Sequence, residues 1–85
     1  MQDDIAAKIQ GFVESRQRVR PEDERFTLDV HLFEAGYIDS VGMVELVAFV
    51  EETFGIELDE DDLFSDEFTS IRGIAGIVTN AIARA

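Results

Sequence analysis

Three stretches of this chain set their apolar residues at the period of an α-helix, and no stretch sustains the strict alternation of a half-buried strand. From Asp4 to Arg16, the residues Ile5, Ile9, Phe12 and Val13 fall at i, i+4, i+7 and i+8, one helical face, with Asp3 and Asp4 at the positive end of the macrodipole. From Ser40 to Phe54, Met43, Leu46, Val47, Val50 and Phe54 share one arc at about 100° per residue, and Gly55 supplies a stop. Ser70 caps a last helix whose buried face is Ile71, Ile74, Ala75, Val78, Ala81 and Ile82. There Gly73 and Gly76 each cost up to about 1 kcal/mol relative to alanine unless close packing compensates. A further short helical turn is expected over Asp59 to Phe64, with Leu63, Phe64 and Phe68 pointing inward. The pattern predicts an all-α fold: a small antiparallel bundle of three main helices plus one short helix, with a long first loop.

That loop, residues 17–39, begins where Pro21 and the charged run PEDER break the periodicity. Loops beyond about 12–15 residues in a small domain are functional or tied down. Phe26, Leu28, Val30, Leu32 and Phe33 are candidate pegs, Gly36 suits a tight turn, and HLFEAG suits a single helical turn. The 85 residues make one domain, 1–85, whose thin core removes only roughly 60% of the unfolded chain's surface from water. With no cysteine, neither a disulfide nor a thiolate metal site braces it, which suits the reducing cytoplasm. The start MQDDIAAKIQ is acidic without a long apolar run, so neither a signal peptide nor a membrane anchor is expected there. A monomer is the default expectation.

Charge narrows the partners. The formal net charge is −12. Lys8, Arg16, Arg18, Arg20 and Arg25 precede residue 26, and Arg72 and Arg84 lie in the last helix, whereas Phe26 to Ile71 holds thirteen acidic residues and no lysine or arginine. Such a surface repels nucleic acid, which is bound by neutralising phosphates and releasing counterions, and it repels anionic membranes likewise. Partners should present basic patches, with binding that weakens in salt. The acidic run DEDDLFSDEFTS is not an EF-hand: counted from Asp59, the sixth position is Phe64 where glycine is required, and the twelfth is Ser70 where glutamate is required. No metal site is expected.

The stretch GYIDSVGMVELV carries the chemistry. Asp39 or Ser40 can cap the second helix by accepting from its first N–H groups. Neither completes a capping box, because Gly42 and Met43 stand three positions on. As a nucleophile Ser40 lacks support: His31 is the only histidine, and Asp-Ser-Val-Gly is not a GxSxG elbow. No catalytic residue is assigned. A third role is covalent modification, since a phosphodiester at a helix N-terminus meets unpaired N–H groups and a favourable dipole. Opposite the buried arc, Val41, Val44 and Ala48 form an apolar strip interleaved with Glu45, Glu51 and Glu52, a pattern suited to docking.

LFEAGYIDSVGMVELVAFVEETFGIEL resembles the central region of acyl carrier proteins and the related peptidyl carrier domains, with the likeness running over roughly residues 26–82. Its specific part is G-x-x-D-S-hydrophobic, then V-E-L-V, then E-E-x-F-G-I. The resemblance implies that Ser40 receives 4′-phosphopantetheine from coenzyme A, with Asp39 as the acidic neighbour associated with the transfer. It assigns partner binding to Val41, Val44, Glu45, Ala48, Glu51 and Glu52. It further implies a free-standing, non-enzymatic carrier of thioester-bound acyl intermediates for fatty-acid, polyketide or related biosynthesis. Partners would be a phosphopantetheinyl transferase and enzymes of the acyl-ligase, ketosynthase or acyltransferase type. An aminoacyl or peptidyl carrier is the alternative within the class, and an unmodified acidic interaction module the alternative outside it. Gly42 stands where many fatty-acid carriers have aspartate, Val41 where they have leucine, and the SDEFTS stretch is longer than theirs. The basic residues from Arg16 to Arg25 suggest a partner-specific first loop.

Overall fold

The computed structural model of the chain describes residues 2–17 and 19–84; Arg18, one of the basic residues near the first loop, lies outside them. Helix α1 spans Gln2–Gln17, α2 Ser40–Phe54, α3 Glu60–Leu63 and α4 Ile71–Arg84, and a 3-10 turn over Asp66–Thr69 leads into α4. The all-α bundle expected from periodicity is the fold observed, with no strand among the described residues.

Each long helix contributes a strip to one core. Ile5, Ile9 and Val13 of α1 meet Leu46 and Val50 of α2 and Ile71, Ile74, Ala75 and Val78 of α4. Full burial of such side chains contributes about 1.5–3 kcal/mol each, which is what makes these short helices persist. α1 packs most extensively on α4, and the 3-10 turn packs on α4 as well. Gly73 makes that second contact possible: a Cβ there would overlap the Glu67 carbonyl oxygen and lie 2.8 Å from its carbon. The helix-weakening glycine is therefore a contact point, with backbone against backbone.

The first loop is tied down as its length demanded. Leu32 is fully buried, and Phe26, Leu28, Val30 and Phe33 lie half-buried against the core. The Leu32 N–H donates to the Thr69 carbonyl at 2.7 Å and the Arg72 N–H to the Leu28 carbonyl at 2.9 Å, stitching the loop to the start of α4. HLFEAG does make one helical turn, closed by Ala35 N–H to the His31 carbonyl at 2.9 Å. Gly36 ends it at φ 84°, left-handed backbone that favours glycine. Beyond it, the Tyr37 ring tilts against Phe26, and its hydroxyl donates to Asp23 Oδ2 at 2.7 Å.

Two expectations need correction. Phe64, expected to point inward, is 81% exposed, because α3 turns Leu63 towards the core and leaves its neighbour on the outside. A capping box between Asp59 and Asp62 fixes that single turn, and Ser65 Oγ donates to the Asp62 carbonyl at 2.8 Å. The buried arc of α2 is also shifted. Its fully buried residues are Gly42, Leu46 and Val50, whereas Met43, Val47 and Phe54 are only half-buried. The arc is thus rotated by roughly half a residue step, about 50°, towards Phe49. The reason is α1, whose Phe12 ring stacks on Phe49 with centroids 4.3 Å apart.

Candidate functional site

The N-terminus of α2 divides two tasks between adjacent residues. Asp39, in extended backbone at φ −102° and ψ −172°, is the cap: its Oδ1 accepts from the Gly42 N–H at 2.8 Å, and its carbonyl accepts from Met43 at 2.8 Å. Ser40 is the first helical residue and is exposed. Among the described residues its hydroxyl makes no hydrogen bond, and neither the Ser40 nor the Val41 N–H finds a backbone acceptor. Capping accounts for Asp39 and leaves Ser40 unexplained as a structural residue. A hydroxyl is thus presented to solvent beside free N–H groups at the positive end of a 15-residue helix, a setting that favours an attached phosphate. Burial of Ile38 at 4% exposure anchors the chain just before this point.

Along α2 from Ser40, Val41 and Val44 are each 69% exposed and Ala48 is exposed beside them. The apolar strip inferred from helical arithmetic is therefore present at the surface. Its carboxylates differ from one another. Glu52 is exposed, Glu45 Oε2 lies 3.3 Å from Arg16 Nη1, and Glu51 Oε2 accepts from the Leu58 N–H at 2.8 Å. Glu51 so braces the connection after α2, which Gly55 turns at φ 65°. Phe49, which helical periodicity left out of the buried face, belongs to this region too. Its signal was adjacency to Val50 and a three-residue step from Leu46, the far edge of the true arc.

The seam between α1 and α2 starts beside Ser40. Phe12, Val13, Arg16, Ile38, Gly42 and Glu45 line it, and they leave no space for the centre of a water molecule. Further along, Phe12, Arg16, Glu45, Ala48, Phe49 and Glu52 border an open surface groove of about 250 Å³. His31, the lone histidine, accepts from the Glu34 N–H on Nδ1 at 3.0 Å within its own loop. Among the described residues no group of histidines, cysteines and carboxylates is placed to hold a metal ion.

A small helical bundle that offers an exposed, unbonded serine at the head of a helix bearing surface carboxylates and an exposed apolar strip has the form of a carrier domain. The model of the phosphopantetheine attachment site family matches residues 8–78. Curated relatives include the D-alanyl carrier proteins of Streptococcus pyogenes serotype M5 (strain Manfredo), serotype M49 (strain NZ131) and serotype M1. Each is 34% identical over 62 residues, covering 73% of this chain and 78% of the relative. The chain belongs to the phosphopantetheine attachment site family: it is a non-catalytic carrier protein with covalently attached 4′-phosphopantetheine. Carrier proteins of this kind meet a phosphopantetheinyl transferase and biosynthetic enzymes such as ligases. No helix among the described residues is long and apolar enough to cross a membrane.

Proposed function

We propose that the arm is attached at Ser40 and that the chain carries a small acyl group on it, in the first place an aminoacyl group, between a loading ligase and an acceptor enzyme. The observation that carries this reading is the division of labour at the head of α2, where Asp39 caps and the Ser40 hydroxyl stays exposed and unbonded. When bound, the arm supplies the thiol on which cargo is held as a thioester, chemistry that a chain without cysteine cannot provide. The chain's own groups would hold the phosphate through the free N–H groups of Ser40 and Val41 and the helix dipole.

Aminoacyl cargo is put before fatty-acid or polyketide intermediates because the relatives are named D-alanyl carrier proteins. Docking falls to Val41, Val44 and Ala48, flanked by Glu45 and Glu52, with Glu51 at the border of the patch. An apolar strip ringed by carboxylates fits a partner face with apolar contacts and basic residues around them. The working unit in this reading is a single cytoplasmic carrier domain, monomeric between encounters.

A charging assay on phosphopantetheinylated chain tests the cargo. With an amino-acid adenylating ligase, ATP and D-alanine, the mass should rise by one alanyl residue and fall back after hydroxylamine cleaves the thioester. Loading only by a fatty-acyl ligase would return the fatty-acid or polyketide assignment.

A further inference from the structure

The three carboxylates beside the apolar strip of α2 are not equally available. Glu51 Oε2 accepts from the Leu58 N–H at 2.8 Å and is engaged within the fold. Glu45 Oε2 lies 3.3 Å from Arg16 Nη1, so a cation already stands beside the strip. Glu52 is exposed and has no ion pair among the described residues. The cation comes from another element. Arg16 lies in the last turn of α1, with its guanidinium carbon 5.6 Å from the Phe12 ring centroid. Phe12 in turn stacks on Phe49 of α2 at 4.3 Å, which sets the end of α1 against α2 and holds the guanidinium at Glu45. The ion pair borders the open groove that Ala48 and Glu52 also line. Both of its side chains reach water, at 56% and 39% exposure, so the pair is weak. Its strength corresponds to at most about fivefold in an equilibrium constant. Such a pair can bias an encounter and still yield to one.

We propose that Arg16 is an internal competitor at the docking face, a specificity-determining residue that neutralises Glu45 until a partner supplies a cation of its own. A partner that meets α2 must bring an arginine or lysine placed to take Glu45 from Arg16, and must accommodate the displaced guanidinium beside it. A basic surface without that placement finds only Glu52 and the apolar strip, and Arg16 opposes it as a like charge. The face thus selects for positive charge in the right place over positive charge in total. The proposal rests on the docking role of α2 and deepens it by naming the residue that regulates it.

The probe is a broad-specificity phosphopantetheinyl transferase, titrated with the Ser40→Ala chain so that binding is read without transfer. In that background Arg16→Gln should tighten the complex by up to about fivefold at low salt. The gain should fade at about 1 M salt, where the Debye length is only about 3 Å. Arg16→Lys keeps the charge and should bind within about twofold of the background. Arg20→Gln makes the same change in net charge at an exposed residue of the first loop and should give little of the gain. Adding Glu45→Gln to Arg16→Gln should abolish the gain, because the competitor then has nothing to release. Weaker binding of Arg16→Gln would overturn the proposal, and so would a gain that survives Glu45→Gln or is matched by Arg20→Gln. Glu52→Gln checks the docking role separately and should weaken binding. If it leaves binding unchanged, α2 is not the docking face and both readings fall. A loss with Glu52→Gln but no gain with Arg16→Gln removes the competitor alone.

Discussion

At the scale of single residues, adjacent side chains at the head of α2 have separable consequences. Asp39→Ala removes the acceptor of the Gly42 N–H and should destabilise the fold by about 0.5–2 kcal/mol in denaturant unfolding. Ser40→Ala deletes an exposed hydroxyl without a partner and should stay within about 0.5 kcal/mol of the parent. Equal losses from both would return the capping role to Ser40. The Asp23–Tyr37 bond makes a second residue-scale prediction. The Tyr37 hydroxyl holds the Asp23 carboxyl below its ordinary value, and the same bond to a carboxylate raises the tyrosine. The depressed aspartate contributes stability that is present above its unfolded pKa, about 3.9, and lost as pH falls through the folded value. The raised tyrosine contributes below its unfolded pKa, about 10, and the contribution is lost as pH rises through the folded value. The stability difference between the parent and Tyr37→Phe should therefore be flat across neutral pH and shrink at both extremes. A difference that grows towards acid would contradict this bond.

At the scale of elements, glycines that look alike in sequence should respond oppositely to alanine. Gly11 lies in α1 with open space where a Cβ would go, so Gly11→Ala should stabilise by up to about 1 kcal/mol. Gly73 faces the Glu67 carbonyl, and overpacking against backbone costs about 1–3 kcal/mol, more than the helix propensity alanine returns. Thermal melting of both variants checks the pair: Gly11→Ala should melt above the parent and Gly73→Ala below it. This is also where sequence reasoning reached its limit. Boundaries of α2, the Ser70 cap that accepts from the Gly73 N–H at 3.0 Å, and the exposed Val41–Val44–Ala48 strip follow from local rules of period and capping. Whether a glycine is a weak point or a contact depends on a distant backbone atom, which no local pattern encodes. The same holds for Phe49, whose burial is decided by where α1 lies, and for Phe64, whose direction is set by a single turn too short to show a period.

At the scale of the whole molecule, the chain is a non-catalytic carrier protein whose charge is segregated along the sequence. Thirteen acidic residues lie between Phe26 and Ile71, and two of them, Glu45 and Asp29, form ion pairs with Arg16 and Arg72. Those ties are largely exposed and contribute little to stability, about 0–1 kcal/mol each. The exposed serine at the head of α2 was legible because Asp-Ser sits at a helix start within a run of fixed spacing. The seam was not, since closure arises from two rings on different helices. The central claim is that Ser40 bears the arm, and intact mass tests it most directly. The chain is incubated with coenzyme A, magnesium and a broad-specificity phosphopantetheinyl transferase, beside Ser40→Ala. The account predicts one added phosphopantetheinyl group on the parent and none on the variant. An unmodified parent that is demonstrably folded, or a variant that still gains the group, would contradict it.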